Sequence, residues 1–220
     1  NRRIQEPSHM RDANNKAKIS RRAFVIGGSA VVAVGAVGLA AKDLLFPTAT
    51  TVTRNPLAIP PVLDGTDFDL TLASSSKQFF DGAKTATYGY NNETFWGPTL
   101  RWKKGDTVTL KVTNNLEDMT TTHWHGIHLP AAADGGPHQM IHPGSTWTPP
   151  SFEVKNEAAT YWYHPHMHET TQKQLTMGAG GFIIIDDDSE ASNALPNDYG
   201  VDDFPLVLTS RRFESTNEFD

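Results

Sequence analysis

Two short histidine couplets stand about forty residues apart in this chain, His123-Trp124-His125-Gly126 and His164-Pro165-His166. Strand-favouring residues lead into each: Thr120, Thr121 and Thr122 before the first, Thr160, Tyr161, Trp162 and Tyr163 before the second. Side chains alternate between the two faces of a β-strand, so a His-x-His couplet points both imidazoles the same way. Two such strands side by side would present four neutral nitrogen donors to one small volume. That donor set suits copper or zinc better than magnesium or calcium, which prefer oxygen. A lone couplet reads as a pair of solvated or hydrogen-bonded histidines. Two couplets with tryptophans beside them point to a metal.

The elements that must carry these couplets are short strands separated by turns. Asp67-Phe68-Asp69-Leu70-Thr71-Leu72 alternates polar and apolar residues, the pattern of a half-buried strand. Tyr88-Gly89-Tyr90 precedes a turn-rich stretch. Leu100-Arg101-Trp102 and Thr107 to Val112 flank the turn Lys104-Gly105-Asp106, and Asn114-Asn115 ends the second of them. Gly135-Gly136-Pro137 and Pro143-Gly144 are further turns. Trp147 to Val154 reads as a strand interrupted by Pro149-Pro150, and Phe182 to Ile185 as a short, fully apolar strand. Many short strands and little helical periodicity predict an all-β, Greek-key β-sandwich. About 120 residues suffice for one such core. The boundaries read as a signal segment over 1–41, an extended linker over 42–65 and the sandwich over 66–187. A polar linker over 188–200 follows, then the start of an incomplete second domain over 201–220, opened by a strand at Phe204-Pro205-Leu206-Val207-Leu208.

Four motifs in order resemble one family. They are Thr122-His123-Trp124-His125-Gly126-Ile127-His128-Leu129-Pro130, Asp134-Gly135-Gly136-Pro137, Trp162-Tyr163-His164-Pro165-His166 and the run from Met177 to Ile185. Together they are similar to the N-terminal cupredoxin domain of multicopper oxidases, most of all the bacterial periplasmic copper-efflux oxidase and its laccase-like relatives. The resemblance implies a cupredoxin-like sandwich with His123 on a type 2 copper, His125 and His164 sharing one type 3 copper, and His166 on the other. It implies that these are half of eight cluster ligands, the rest coming from a C-terminal domain. It also implies O2 as electron acceptor and Cu(I) or a phenolic or other electron-rich aromatic compound as donor. Asp134 matches an acid near the cluster, able to hydrogen-bond a ligand histidine or metal-bound water and to pass protons. By its residues alone, Asp134 is a turn-former before Gly-Gly. Of the remaining histidines, His168 continues the period-two spacing of the second couplet, and His128, just after the first, reads as packing or hydrogen-bonding beside the site. His138 and His142 read as surface loop residues, and Trp124 and Trp162 as packing around the metal.

No cysteine occurs in the chain, so disulfides, iron–sulfur clusters, thiolate zinc and the copper–thiolate type 1 centre are all excluded within these residues. The type 1 site of the family would lie elsewhere, and the sequence reads as a fragment that is inactive alone. Residues 1–41 hold seven Lys/Arg against two Asp/Glu, whereas residues 42–220 hold twelve against twenty-three. An acidic main part does not favour nucleic acid. Ser20-Arg21-Arg22-Ala23-Phe24-Val25 fits a twin-arginine export signal, which predicts a periplasmic or otherwise exported protein. The uncharged run from 23 to 41 is long enough to span a bilayer, so a retained anchor competes with cleavage near Gly38 to Ala41.

Three other functions fit parts of this pattern. A copper-free, protein-binding relative of the cell-division type would lose its ligand histidines, and all four are present here. A stand-alone copper- or zinc-binding tolerance module would need no second ligand set. A copper nitrite reductase would carry a type 1 cysteine in its first domain, where this chain has none.

Overall fold

The computed structural model of the chain describes residues 56–220. The expected signal segment and most of the 42–65 linker lie outside the described residues. From Leu57 onward the chain forms one unit.

Period-two burial runs through the long strands. In β2 (Asp67–Lys77) Phe68, Leu70 and Leu72 face inward while Asp67 and Asp69 face water. In β5 (Thr107–Asn115) Val108, Leu110 and Val112 do the same, so the alternating sequences select one buried face each. These two strands pair in parallel, Leu70 opposite Val112. With β3 (Thr85–Tyr90) and β7 (Thr146–Trp147) they form one sheet in the order β3-β2-β5-β7, and β8 (Phe152–Glu153) also pairs with β5. The second sheet runs β1-β4-β10-β9-β6. It uses β1 (Val62–Asp64), β4 (Thr99–Lys103), β6 (His123–His125), β9 (Ala159–His164) and β10 (Gly181–Asp186). Leu100, Trp102, Trp124, Tyr163, Ile183 and Ile185 from this sheet meet the inner face of the first in a single core. Each large aliphatic buried there contributes roughly 1.5–3 kcal/mol. The result is the all-β sandwich expected from the strand pattern.

Several local expectations shift. The end of the stretch read as linker becomes β1, which pairs in parallel with β4. Pro149-Pro150 does break the strand beyond Trp147, leaving the two short pieces β7 and β8. Two helical turns are unannounced by periodicity because each is too short to show any: α1 (Thr171–Thr176) and α2 (Glu190–Asn193). Phe204 to Leu208 is not a strand; Pro205 lacks the N–H a ladder needs, and Leu206 and Leu208 stand exposed. The tail instead folds back on the sandwich. Arg211 donates to the carbonyls of Leu175 and Thr176, Asn217 to those of Asp81 and Ala83, and Phe213 and Phe219 pack on Phe79. Among the described residues no helix is long and apolar enough to cross a membrane.

Candidate metal centre

Strands β6 and β9 are antiparallel neighbours in a register that sets His123 opposite His164 and His125 opposite Trp162. A directly opposed pair shares one face of the sheet, and His125 returns to that face two residues on. One ring nitrogen from each of His123, His125 and His164 therefore lies within 4.8 Å of the other two. His125 Nδ1 and His164 Nε2 are 3.1 Å apart.

The second couplet is built differently from the first. Strand β9 ends at His164, so the two-residue alternation expected to align His166 does not apply. Pro165 turns the chain, and the His166 ring still comes to 5.3 Å from that of His123 and 6.0 Å from that of His164, centroid to centroid. His166 is exposed and sits beside the three-nitrogen group rather than in it. All four predicted ligands are thus brought to one place, three of them tightly.

Hydrogen bonds settle which nitrogens are free. His123 Nδ1 lies 2.8 Å from the backbone oxygen of Asp134, and His164 Nδ1 lies 2.7 Å from that of Pro165. A carbonyl only accepts, so each Nδ1 carries a proton and Nε2 is the nitrogen left to face a metal; in His164 that Nε2 is engaged by His125 Nδ1, a hydrogen bond that metal binding would replace. His125 instead faces its neighbour through Nδ1. Burial, reinforced by the nearby rings of His123, His125 and His166, pushes His164 down to about 4, against an opposing pull from the Pro165 carbonyl. At neutral pH His164 is an uncharged donor. Imidazole nitrogens converging in this way fit a nitrogen-preferring cation such as copper.

Asp134 stands where a loop is forced close. Its backbone caps a 3-10 turn at Ala131–Ala133, and Gly135 follows at φ +73° with its Cα against the Thr122 carbonyl. A Cβ at Gly135 would overlap that carbonyl, so the loop can run under His123 only with glycine there. This places the Asp134 carboxylate 3.4 Å from His123 Nδ1 with its side chain still 41% exposed. Asp134 is both the turn residue its neighbours suggest and a group in contact with a histidine of the site.

Trp162 stacks on His164 at 4.0 Å and on His125 at 5.1 Å, walling one side of the site. Trp124, between the two histidines of β6, points the other way into the core beside Trp102 and Tyr163. His128, His138, His142 and His168 are exposed and do not join the group, and His9 lies outside the described residues. Sequence reasoning missed the residues that brace the site. Asn156 is buried, donates to the Gly126 carbonyl and accepts from the His128 N–H, stapling the loop that leaves His125. Gln174 is buried and joins α1 to Thr120 and to the Met119 carbonyl. A polar residue in a short helix carries no such signal on its own.

The family model described as multicopper oxidase matches residues 73–190. The multicopper oxidase mco of Staphylococcus aureus is 41% identical over 169 residues, covering 74% of this chain and 37% of that protein. Cell division protein FtsP of Escherichia coli (strain K12) is 31% identical over 200 residues, 90% of this chain and 41% of that protein. Among solved structures, the laccase-like multicopper oxidase CueO of Ochrobactrum sp. superposes with a TM-score of 0.67 at 39% identity, over 71% of this chain and 36% of that one. A multicopper oxidase of Pediococcus acidilactici gives 0.70 at 33% identity, over 76% of this chain and 36% of that one. The chain thus spans about two-fifths of the length of these relatives.

Proposed function

This chain belongs to the multicopper oxidase family, and from that membership we propose that its sandwich supplies half of a copper cluster at which a longer exported oxidase reduces O2 to water. In this reading His123 holds a type 2 copper, His125 and His164 share one type 3 copper, and His166 serves the other. The observation that carries it is the convergence of the three imidazole nitrogens within 4.8 Å on two paired strands. Bound copper would supply one-electron redox steps, which neutral imidazoles tolerate in both oxidation states.

The chain's own residues orient and shield. The Asp134 and Pro165 carbonyls take up Nδ1–H of His123 and His164, so Nε2 is the nitrogen each would turn to a metal. Trp162 excludes water from one side of His125 and His164. The half-exposed Asp134 carboxylate, 3.4 Å from His123 Nδ1, would relay from solvent the protons that oxygen reduction consumes. The reducing partner is Cu(I) or a phenol-like aromatic, met on parts of the longer protein beyond these residues. These residues alone, without a thiol or the other ligand set, do not turn over. Delivery is by the twin-arginine route, through Arg21 and Arg22.

A second reading, a copper-free protein-binding role, rests on the match to FtsP across 90% of the chain. The intact histidine set favours the oxidase. Copper stoichiometry measured beside oxygen uptake in the longer protein tests the choice. His125→Ala, His164→Ala and His166→Ala should each lose type 3 copper, and His123→Ala chiefly type 2. Asp134→Asn should keep its copper and slow oxygen uptake by roughly 10–100-fold. Full copper loading in all four alanine variants would overturn the metal assignment, a wild-type protein that takes up no copper would favour the protein-binding role, and full activity of Asp134→Asn would reduce Asp134 to a turn residue.

A further inference from the structure

His166 is the one member of the histidine set that secondary structure does not place. The β6–β9 ladder pairs His123 with His164, and continuing that register would set Thr121 opposite His166. The ladder cannot continue, because Pro165 lies outside β9 and has no N–H to offer. A side chain stands in for the missing rung. The His166 backbone N–H donates to Thr121 Oγ1 at 2.7 Å, and Thr121 is fully buried.

Its neighbours make the same kind of tie in other directions. Thr120 Oγ1 donates to Gln174 Oε1 at 2.8 Å, and Thr122 Oγ1 meets Tyr90 OH at 2.9 Å. Thr120 and Thr122 are also fully buried, so the run ahead of His123 is a buried polar rail rather than a stretch of strand propensity. Of the three, only Thr121 reaches the second couplet. Unpaired buried hydroxyls are costly, which makes valine an easier core residue than threonine unless the hydroxyl is used.

We infer that Thr121 is a positioning residue that sets His166 for metal binding, by accepting the His166 backbone N–H just past the point where Pro165 ends the strand ladder. The inference rests on the metal-site reading above and acts through His166; Thr121 touches no metal itself. Valine at position 121 keeps the shape and removes the acceptor, while serine keeps the acceptor.

The experiment follows amide hydrogen exchange at His166 in the chain without added copper, then Cu(II) affinity by competition with a chelator, in wild type, Thr121→Val and Thr121→Ser. The His166 amide should be protected in wild type although it lies beyond the strand. Thr121→Val should speed its exchange by about 10-fold or more and weaken Cu(II) binding by about 10-fold, and Thr121→Ser should restore both. An unprotected wild-type amide would overturn the inference, and that measurement needs no variant to fold. So would a valine variant unchanged in both readouts, or a serine variant as impaired as valine. His166→Ala is measured alongside: if it leaves Cu(II) affinity unchanged while Thr121→Val still exposes the amide, the metal-site reading fails and the hydrogen bond does not.

Discussion

His164 concentrates the physics of the site in one residue. It is 6% exposed, stacked on Trp162 and bonded through Nδ1 to Pro165, so its imidazole stays neutral to about pH 4. The unfolded chain binds that proton first, near the ordinary value of about 6.5. Stability supplied by neutral His164 is therefore complete above about pH 6.5 and is lost as pH falls towards about 4. Urea midpoints of the metal-free chain should decline across that window, and His164→Asn should flatten the decline. An identical decline in the variant would show that His164 is not the group responsible. The couplets themselves were legible from the sequence because histidine spacing is a strong signal. What the sequence hid was the asymmetry between them. His123 and His125 lie on a strand, whereas His164 ends one and His166 hangs from a side-chain hydrogen bond.

At the scale of elements, the loop between the couplets matters as much as the strands. Gly135 lies at a positive φ with no room for a Cβ against the Thr122 carbonyl. Gly135→Ala should cost at least about 2 kcal/mol in chemical denaturation and move Asp134 away from His123. A variant as stable as wild type would mean the loop can shift without consequence. Leu110 is fully buried in β5, and Leu110→Ala should cost about 2–5 kcal/mol by the same assay, a cost that an exposed position would not show. The alternation in β2 and β5 made those strands readable, as did the apolar run of β10. β1, the two helical turns and the folded-back tail were not readable, since three to six residues show no period and their placement comes from partners distant in sequence. Arg211 meets α1 and Asn217 meets the Asp81–Ala83 turn through such distant pairings.

At the scale of the whole molecule, the proposed reading makes the sandwich a holder that would supply half of a copper cluster. The chain covers about two-fifths of its relatives' length and has no cysteine, so copper added to it should give no intense blue thiolate band. Changing Arg21 and Arg22 to Lys, which leaves charge unaltered, should retain the protein in the cytoplasm; undiminished export would rule out the twin-arginine route. The most direct test of the metal-site reading is the paramagnetic resonance spectrum of Cu(II) bound to this chain at one equivalent. Nitrogen couplings from two or more imidazoles should be present in wild type and reduced in each of His123→Ala, His125→Ala and His164→Ala. The same spectrum from all three variants and the wild type would contradict the assignment of these histidines as the metal-holding set.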